Sequence, residues 1–343
     1  MSQDTLSSLL RATRLRGAMF YLVEGAAPWS AEAAPSADII PAILPGVDHM
    51  MEFHGVARGT CWAGILGEEP TRLETGDLVI FPQGDAHVIG SRPRPRPRGA
   101  DLGMYEAARP AQLPYQMHVT ERGARAPVLE PGETDATIVC GFIGCDARPF
   151  NPLLAALPRT LRVPGRVTAG SPWLAAVLEA VVQESSAKRG GGEAVLERMA
   201  EMLFVEALRR YVDALPPGET GWLAGLGDAA VGRALALLHE RPAQAWTLER
   251  LAGAAAVSRS TLHERFVHLL GQPPMQYLAQ WRMQLAAGWL RDTDAKVLEV
   301  ALEVGYENEA AFARAFRRAT GESPAAWRRS RRTRPVRPPA VIS

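Results

Sequence analysis

The chain has 343 residues, of which 47% are hydrophobic and 22% charged, with a net charge of +1. This length exceeds one ordinary core and suits two domains with a connector. No apolar run reaches the roughly 20 residues of a membrane span. Met1-Ser2-Gln3-Asp4 lacks the basic start of a secretory signal, and Cys61, Cys140 and Cys145 cannot build a disulfide framework, so cytoplasmic residence is expected.

Charge is unevenly spread. Residues 228–343 hold 17 Lys+Arg against 11 Asp+Glu, leaving the remainder acidic. A basic C-terminal part suits a polyanionic partner.

In chain order, residues 5–16 read as a short amphipathic helix with Leu6, Leu9, Leu10 and Leu15 on one side. From about 18 to 143 the texture becomes short apolar runs broken by Gly and Pro. Residues 18–23, 61–66, 77–81 and 137–143 read as strands. The alternating Arg and Pro of 92–98 predict an extended loop. After Pro164 the pattern turns helical. Ser171-Pro172 predicts a helix start, and the break at 188–192 separates it from a second helix over 193–214. These helices pack either on the strands or on a second subunit. Pro216-Pro217-Gly218 then opens a linker.

Residues 247–328 contain an internal repeat. One copy holds Ala252, Ala256, Leu262, Phe266, Gly271, Pro274 and Tyr277; the other holds Ala301, Gly305, Phe312, Phe316, Gly321, Pro324 and Trp327. Each copy reads as a helix-turn-helix. Thr247 and Ser258 cap the first pair of helices, and Ala256 or Gly305 permits the turn. Gly271 and Gly321 stop the second helices. Residues 259–265 and 308–314 are then left outward, where a recognition helix enters the DNA major groove. A helix over 275–290, roughly 24 Å long, spans the copies.

Ser258-Arg259-Ser260-Thr261-Leu262 and the run from Val304 through Phe316, closing on Gly321-Glu322-Ser323-Pro324, resemble the AraC/XylS family of regulators. The resemblance covers about 228–330. It implies a seven-helix domain that binds double-stranded DNA through two successive major grooves and activates transcription by contacting RNA polymerase. By position, Ser260, His263 and Glu264 face bases from the first motif, and Glu309, Ala310, Ala313 and Arg314 from the second. Arg314 leads, since Arg donates two hydrogen bonds to guanine. Glu264 departs from the basic residue common there. Arg259, Arg317 and Arg318 are the phosphate candidates, with a solvated helix face as the alternative.

Gly76-Asp77-Leu78-Val79-Ile80-Phe81-Pro82-Gln83-Gly84-Asp85-Ala86-His87 follows the second cupin motif, a strand, a tight turn and a return strand directing His87 inward. With Phe53-His54-Gly55-Val56 and Gly59-Thr60-Cys61-Trp62 upstream, residues 5–165 resemble the cupin sensor domain of one AraC-type subgroup. The His-x-His pair plus Glu of metal-dependent cupins is incomplete. His54, Cys61 and His87 remain a candidate zinc or copper site, or core histidines beside a small apolar filler. Cys140 on a strand and Cys145 in the loop beyond it, expected exposed, are candidates for redox sensing.

The expected architecture is therefore α+β: a cupin-like β-barrel domain (1–165), a helical connector that dimerises and its linker (166–227), an all-α double helix-turn-helix domain (228–330) and a basic, disordered tail (331–343). The expected function is a homodimeric DNA-binding regulator responding to a small molecule, metal or oxidant, and not an enzyme. The alternatives are a metal-dependent cupin enzyme with a helical accessory domain, and a DNA-binding protein whose cupin only dimerises.

Overall fold

The computed structural model describes residues 4–95, 99–100, 102, 105, 115–125, 134–165, 173–187, 189–216 and 218–331. The expected cap at Ser171-Pro172, part of the Arg/Pro loop and the tail from 332 lie outside them. Two compact units emerge, and they do not follow chain order. One comprises 14–146 and 157–216; the other comprises 1–13, 147–156 and 217–343. This division differs from the domain boundaries expected from sequence, because two short segments of the N-terminal half bury their apolar faces among the C-terminal helices.

In the first unit, among the described residues, eleven strands form two sheets. The larger is built around three ten-residue strands, β1 (Arg16–Gly25), β3 (His49–Arg58) and β10 (Ala136–Cys145). β6 (Leu78–Phe81) and β11 (Leu161–Val163) extend it beyond β3, and β8 (Tyr115–Thr120) and β9 (Gly123–Arg125) beyond β1. The smaller runs β2 (Ser30–Ala33), β7 (His87–Gly90), β4 (Thr60–Ile65) and β5 (Thr71–Glu74). The expected closed barrel is absent among the described residues, since neither sheet's edge strands hydrogen-bond to the other sheet. One hydrophobic core nevertheless joins their inner faces, drawing Val56, Val79 and Ile138 from one and Ala63, Leu73 and Ile89 from the other.

Every residue of β10 is buried, which explains why its sequence reads as a continuous apolar run rather than an alternation. Its second face, like that of β3, lies under α4 (Trp173–Ala187) and α5 (Gly192–Asp213). Gly55 on β3 lets Leu178 of α4 press onto the strand, in the space a Cβ would need. The two connector helices thus pack on the strands. A short helix, α2 (Ser36–Ile43), interrupts the region read as all-β. It is brief and contains Pro41, so periodicity does not reveal it.

The second unit is helical. α1 (Thr5–Ala12) and α3 (Pro152–Ala156) join α6 (Trp222–Gly227) and seven helices that follow it. These are α7 (Val231–Glu240), α8 (Leu248–Ala254), α9 (Arg259–Leu270), α10 (Pro274–Asp292), α11 (Val297–Glu303), α12 (Glu309–Thr320) and α13 (Pro324–Arg331). Seven helices match the expectation. The region taken as linker is instead partly core, because Trp222 is buried and donates from Nε1 to the Tyr277 hydroxyl at 2.7 Å. Buried Gln284 on α10 accepts from the Phe150 backbone at 3.0 Å and donates to the Ala12 carbonyl at 3.4 Å. It ties both N-terminal segments to the long helix.

Candidate nucleic-acid interface and sensor site

Each motif of the repeat forms as its residues dictate. Thr247 accepts from the Arg250 backbone at 3.2 Å to start α8, and Ser258 accepts from Thr261 at 3.1 Å to start α9. Asn308 accepts from Ala311 at 2.8 Å to start α12. Between α8 and α9 the chain turns with Ala256 at φ 59°; between α11 and α12 it turns with Gly305 at φ 86°. A Cβ on Gly305 would come within 2.7 Å of the Ala243 carbonyl, so glycine is required there on two grounds. Left-handed Gly271 and Gly321 end the recognition helices.

Leu262 and Phe266 on α9, and Phe312 and Phe316 on α12, are fully buried. Spaced i and i+4, they fix which face remains outside. Ser260, His263 and Glu264 are exposed on α9, as are Glu309, Ala310 and Arg314 on α12; Ala313 is half-buried. The phosphate candidates Arg259, Arg317 and Arg318 are exposed. Arg259, however, donates to Glu249 of α8 at 2.6 Å, and Arg265 is bound by Asp228. Those carboxylates neutralise the arginines of α9, a pairing between helices that spacing alone does not reveal. Arg314 and Arg317 make no ion pair among the described residues.

In the sheet unit, Glu52 and His54 occupy alternate positions of β3 and so share one face, the face that carries Met50 and Val56 into the inter-sheet core. Cys140 lies opposite His54 in the β3–β10 register. His87 enters from β7 of the smaller sheet. His54 Nε2 stands 2.6 Å from His87 Nε2, and His54 Nδ1 stands 2.9 Å from Cys140 Sγ. His87 Nδ1 meets the Asp85 carbonyl at 2.8 Å, which assigns the proton to Nδ1 and makes Nε2 the acceptor that faces His54 Nε2. Glu52 Oε2 lies 3.9 Å from His87 Nε2 and has no hydrogen-bond partner among the described residues.

Burial pushes the Glu52 carboxyl up to about 8, and it holds His87 down to about 4. His54 is likewise depressed, by burial and by the neighbouring His87. The cluster borders a cavity of about 40 Å³ lined by Tyr21, Tyr105, Met117 and Cys140.

The structure therefore joins His54 and His87 but not Cys61. That thiol is buried on β4, four residues from Ile65, the residue paired with His87, about 13 Å along the strand. Glu52 takes its place, and the Glu-x-His alternation on one strand was the signal for it. Cys145 is not in an exposed loop: it ends β10, 2% exposed. Five strand positions separate Cys140 from Cys145, about 17 Å on opposite faces, beyond disulfide reach in this fold. Burial raises both thiols above their ordinary range, which opposes thiolate chemistry.

Residues 4–213 match the family model described as Cupin, and residues 251–330 match a helix-turn-helix domain model. An AraC-like transcription regulator of Streptomyces antibioticus is 34% identical, over 84% of this chain and 90% of its own. The chain belongs to the AraC-type family of transcription regulators. RclR of Escherichia coli K12, named as an RCS-specific transcriptional activator, is 31% identical over 81% of this chain and 84% of its own. The DNA-binding domain of AdpA in complex with a target DNA shares 34% identity, covering 30% of this chain and 93% of that domain, at a TM-score of 0.29. With the Streptomyces antibioticus regulator and RclR matching most of its length, this AraC-type chain is a DNA-binding regulator and not an enzyme. No helix among the described residues is long and apolar enough to cross a membrane.

Proposed function

We propose that this regulator reads DNA with the exposed faces of α9 and α12, and activates transcription at promoters through RNA polymerase when its cupin unit receives a chemical signal. The signal is a small molecule, a metal ion or an oxidant. The observation that carries the reading is the repeated motif itself: two capped recognition helices of equal length on one scaffold, each exposing the expected base-facing positions. Arg314 reads a guanine, Glu264 accepts from a cytosine amino group, and Arg317 and Arg318 hold phosphate. Helix α10, 19 residues or about 28 Å long, suits two elements about one DNA turn, roughly 34 Å, apart. The name of RclR supports the activator role.

The regulator works as a homodimer through the outer face of α5, where Val195 and Met202 are 42% and 48% exposed. Arg198 lies four residues before Met202 and Glu206 four after it. An antiparallel two-fold pairing centred on Met202 would bring each Arg198 to the partner's Glu206.

Selection of genomic fragments by the purified protein, repeated with Arg314→Ala, tests the DNA reading. Enriched sites with two elements about one turn apart, lost in the variant, are expected. No enrichment by the full-length protein in any effector condition would refute it.

A further inference from the structure

We infer that Arg282 is a positioning residue that locks the two helix-turn-helix motifs into one rigid reader, so that its guanidinium, and not the length of α10 alone, sets the spacing of the DNA elements. The inference rests on the reading above in which α9 and α12 each take one element.

A single helix between two motifs fixes how far apart they stand, but each motif can still pivot about it. A second connection, off the helix axis, removes that freedom. Arg282 lies within α10 and supplies one. Its Nε donates to the Pro242 carbonyl at 2.7 Å and its Nη2 to the Gln244 carbonyl at 2.9 Å. Both carbonyls belong to the loop that runs from α7 into α8 of the first motif. Its Nη1 donates to the Gly305 carbonyl at 3.2 Å, in the turn of the second motif. One side chain on the shared helix thus holds both motifs.

The surroundings fit a clamp. The loop is braced from within, since the Gln244 backbone and Trp246 Nε1 both donate to the Arg241 carbonyl, at 3.2 and 3.1 Å. Loop and turn also approach closely: a Cβ on Gly305 would fall 2.8 Å from Ala243 Cα and 2.8 Å from Arg282 Nη2. The guanidinium carbon lies 6.0 Å from the centre of the Tyr306 ring, which meets Phe312 of α12 edge-on at 5.6 Å. The line of contacts therefore ends on the second recognition helix. Arg282 is half-buried and makes no ion pair among the described residues, so its donors are spent on backbone carbonyls. A planar fork with five N–H groups can serve carbonyls on two sides at once, whereas a lysine ammonium keeps the charge but not that geometry. A reader held rigid before binding loses less conformational freedom on DNA and tolerates less change in element spacing.

The first arm of the test needs no DNA. Spin labels placed through His263→Cys and Arg314→Cys, in full-length protein whose three native thiols are buried, report the distance between α9 and α12 by pulsed electron resonance. One narrow distance is expected, broadened by Arg282→Lys. Pro242→Gly loosens the loop that presents two of the carbonyls and should broaden it less; it takes over the test if Arg282→Lys is unfolded by circular dichroism. The second arm uses unlabelled protein and a selected two-element fragment with one base pair inserted or removed between the elements, a change of about 3.4 Å and 35°. The unaltered protein should lose about tenfold in affinity or more, and Arg282→Lys about threefold or less. An arginine that only supports the fold would lower every affinity by one factor and leave that discrimination intact, which overturns the inference. A distance distribution already broad before Arg282 is changed, or equally narrow in both folded variants, also overturns it. If the unaltered protein selects no two-element DNA, the reading above falls, and the distance distribution still judges the clamp.

Discussion

The two recognition helices rest on the same scaffold and present different charge. On α9, Leu262 and Phe266 point inward; on α12, Phe312 and Phe316 do so. Both helices start on a side-chain cap and stop at a left-handed glycine. On α9, both arginines are held by carboxylates that approach from α8 and from the turn before α7, and Glu264 is exposed among the base-facing positions. On α12, Arg314 and Arg317 are exposed and carry no such partner. The difference teaches that a repeat duplicated for packing need not be duplicated for binding. Packing asks for apolar volume at two positions, whereas affinity for DNA asks for uncompensated positive charge. Helix α12 is therefore expected to supply most of the affinity, and α9 selectivity at fewer positions.

The comparison can be broken in several ways. The largest effect is expected where the two turns differ. Gly305→Ala places a Cβ against the Ala243 backbone at a positive φ and should cost about 3 kcal/mol of stability. Ala256→Gly relieves the same backbone strain and should gain up to about 1 kcal/mol. Urea midpoints read both, and equal shifts would show the turns to be equivalent.

Acid separates the two cores next. Burial lowers His239 to about 3, and its ring stacks 4.0 Å from Trp281 in the half that contains α9. The residues that form the core around α12 include no histidine. An unfolded imidazole takes up a proton near 6.5 that the folded one refuses. Stability is therefore full above pH 6.5 and falls by up to about 1.4 kcal/mol per unit as pH drops toward 3. Tryptophan fluorescence during urea unfolding at pH 7 and pH 5 reads this, and identical midpoints would contradict it.

On DNA, Arg314→Ala should cost about 1–3 kcal/mol and relax one base position, while Glu264→Ala should relax a different one with little loss of affinity. A larger loss from Glu264→Ala would invert the assigned roles. Arg317→Ala should lower the salt slope of binding by about one unit. Arg259→Ala should lower it by less, since Glu249 already holds that guanidinium. The smallest effect is expected for Glu249→Ala. It frees Arg259 and should strengthen non-specific binding only slightly, because solvent and salt screen an exposed pair of this kind.

Much of this was legible in the sequence because the signals are local. Caps act within three residues, a buried face repeats every three or four, and glycine ends a helix where it stands. The helices 274–292 and 192–213 and the long strands follow from such rules. The buried cluster around His54 and His87 was half legible. His87 was marked by the strand–turn–strand pattern around Gly84, and His54 by its strand, whereas the structure places Glu52 beside them and Cys61 apart. Only strand register decides that choice, since it sets Cys140 against His54 and carries Cys61 away along β4.

Sequence alone thus determined the order of elements, the repeated motif and the outward faces of α9 and α12, all of which depend on contacts a few residues long. Tertiary structure decided the rest: that two sheets form a sandwich, that α4 and α5 cover the larger one, that residues 1–13 and 147–156 join the DNA-binding helices, and that Glu52, His54 and His87 meet. The physical reason is common to all four. Such contacts join residues tens to hundreds of positions apart, and which pairs form depends on how whole apolar faces bury one another, a property no short window of sequence contains.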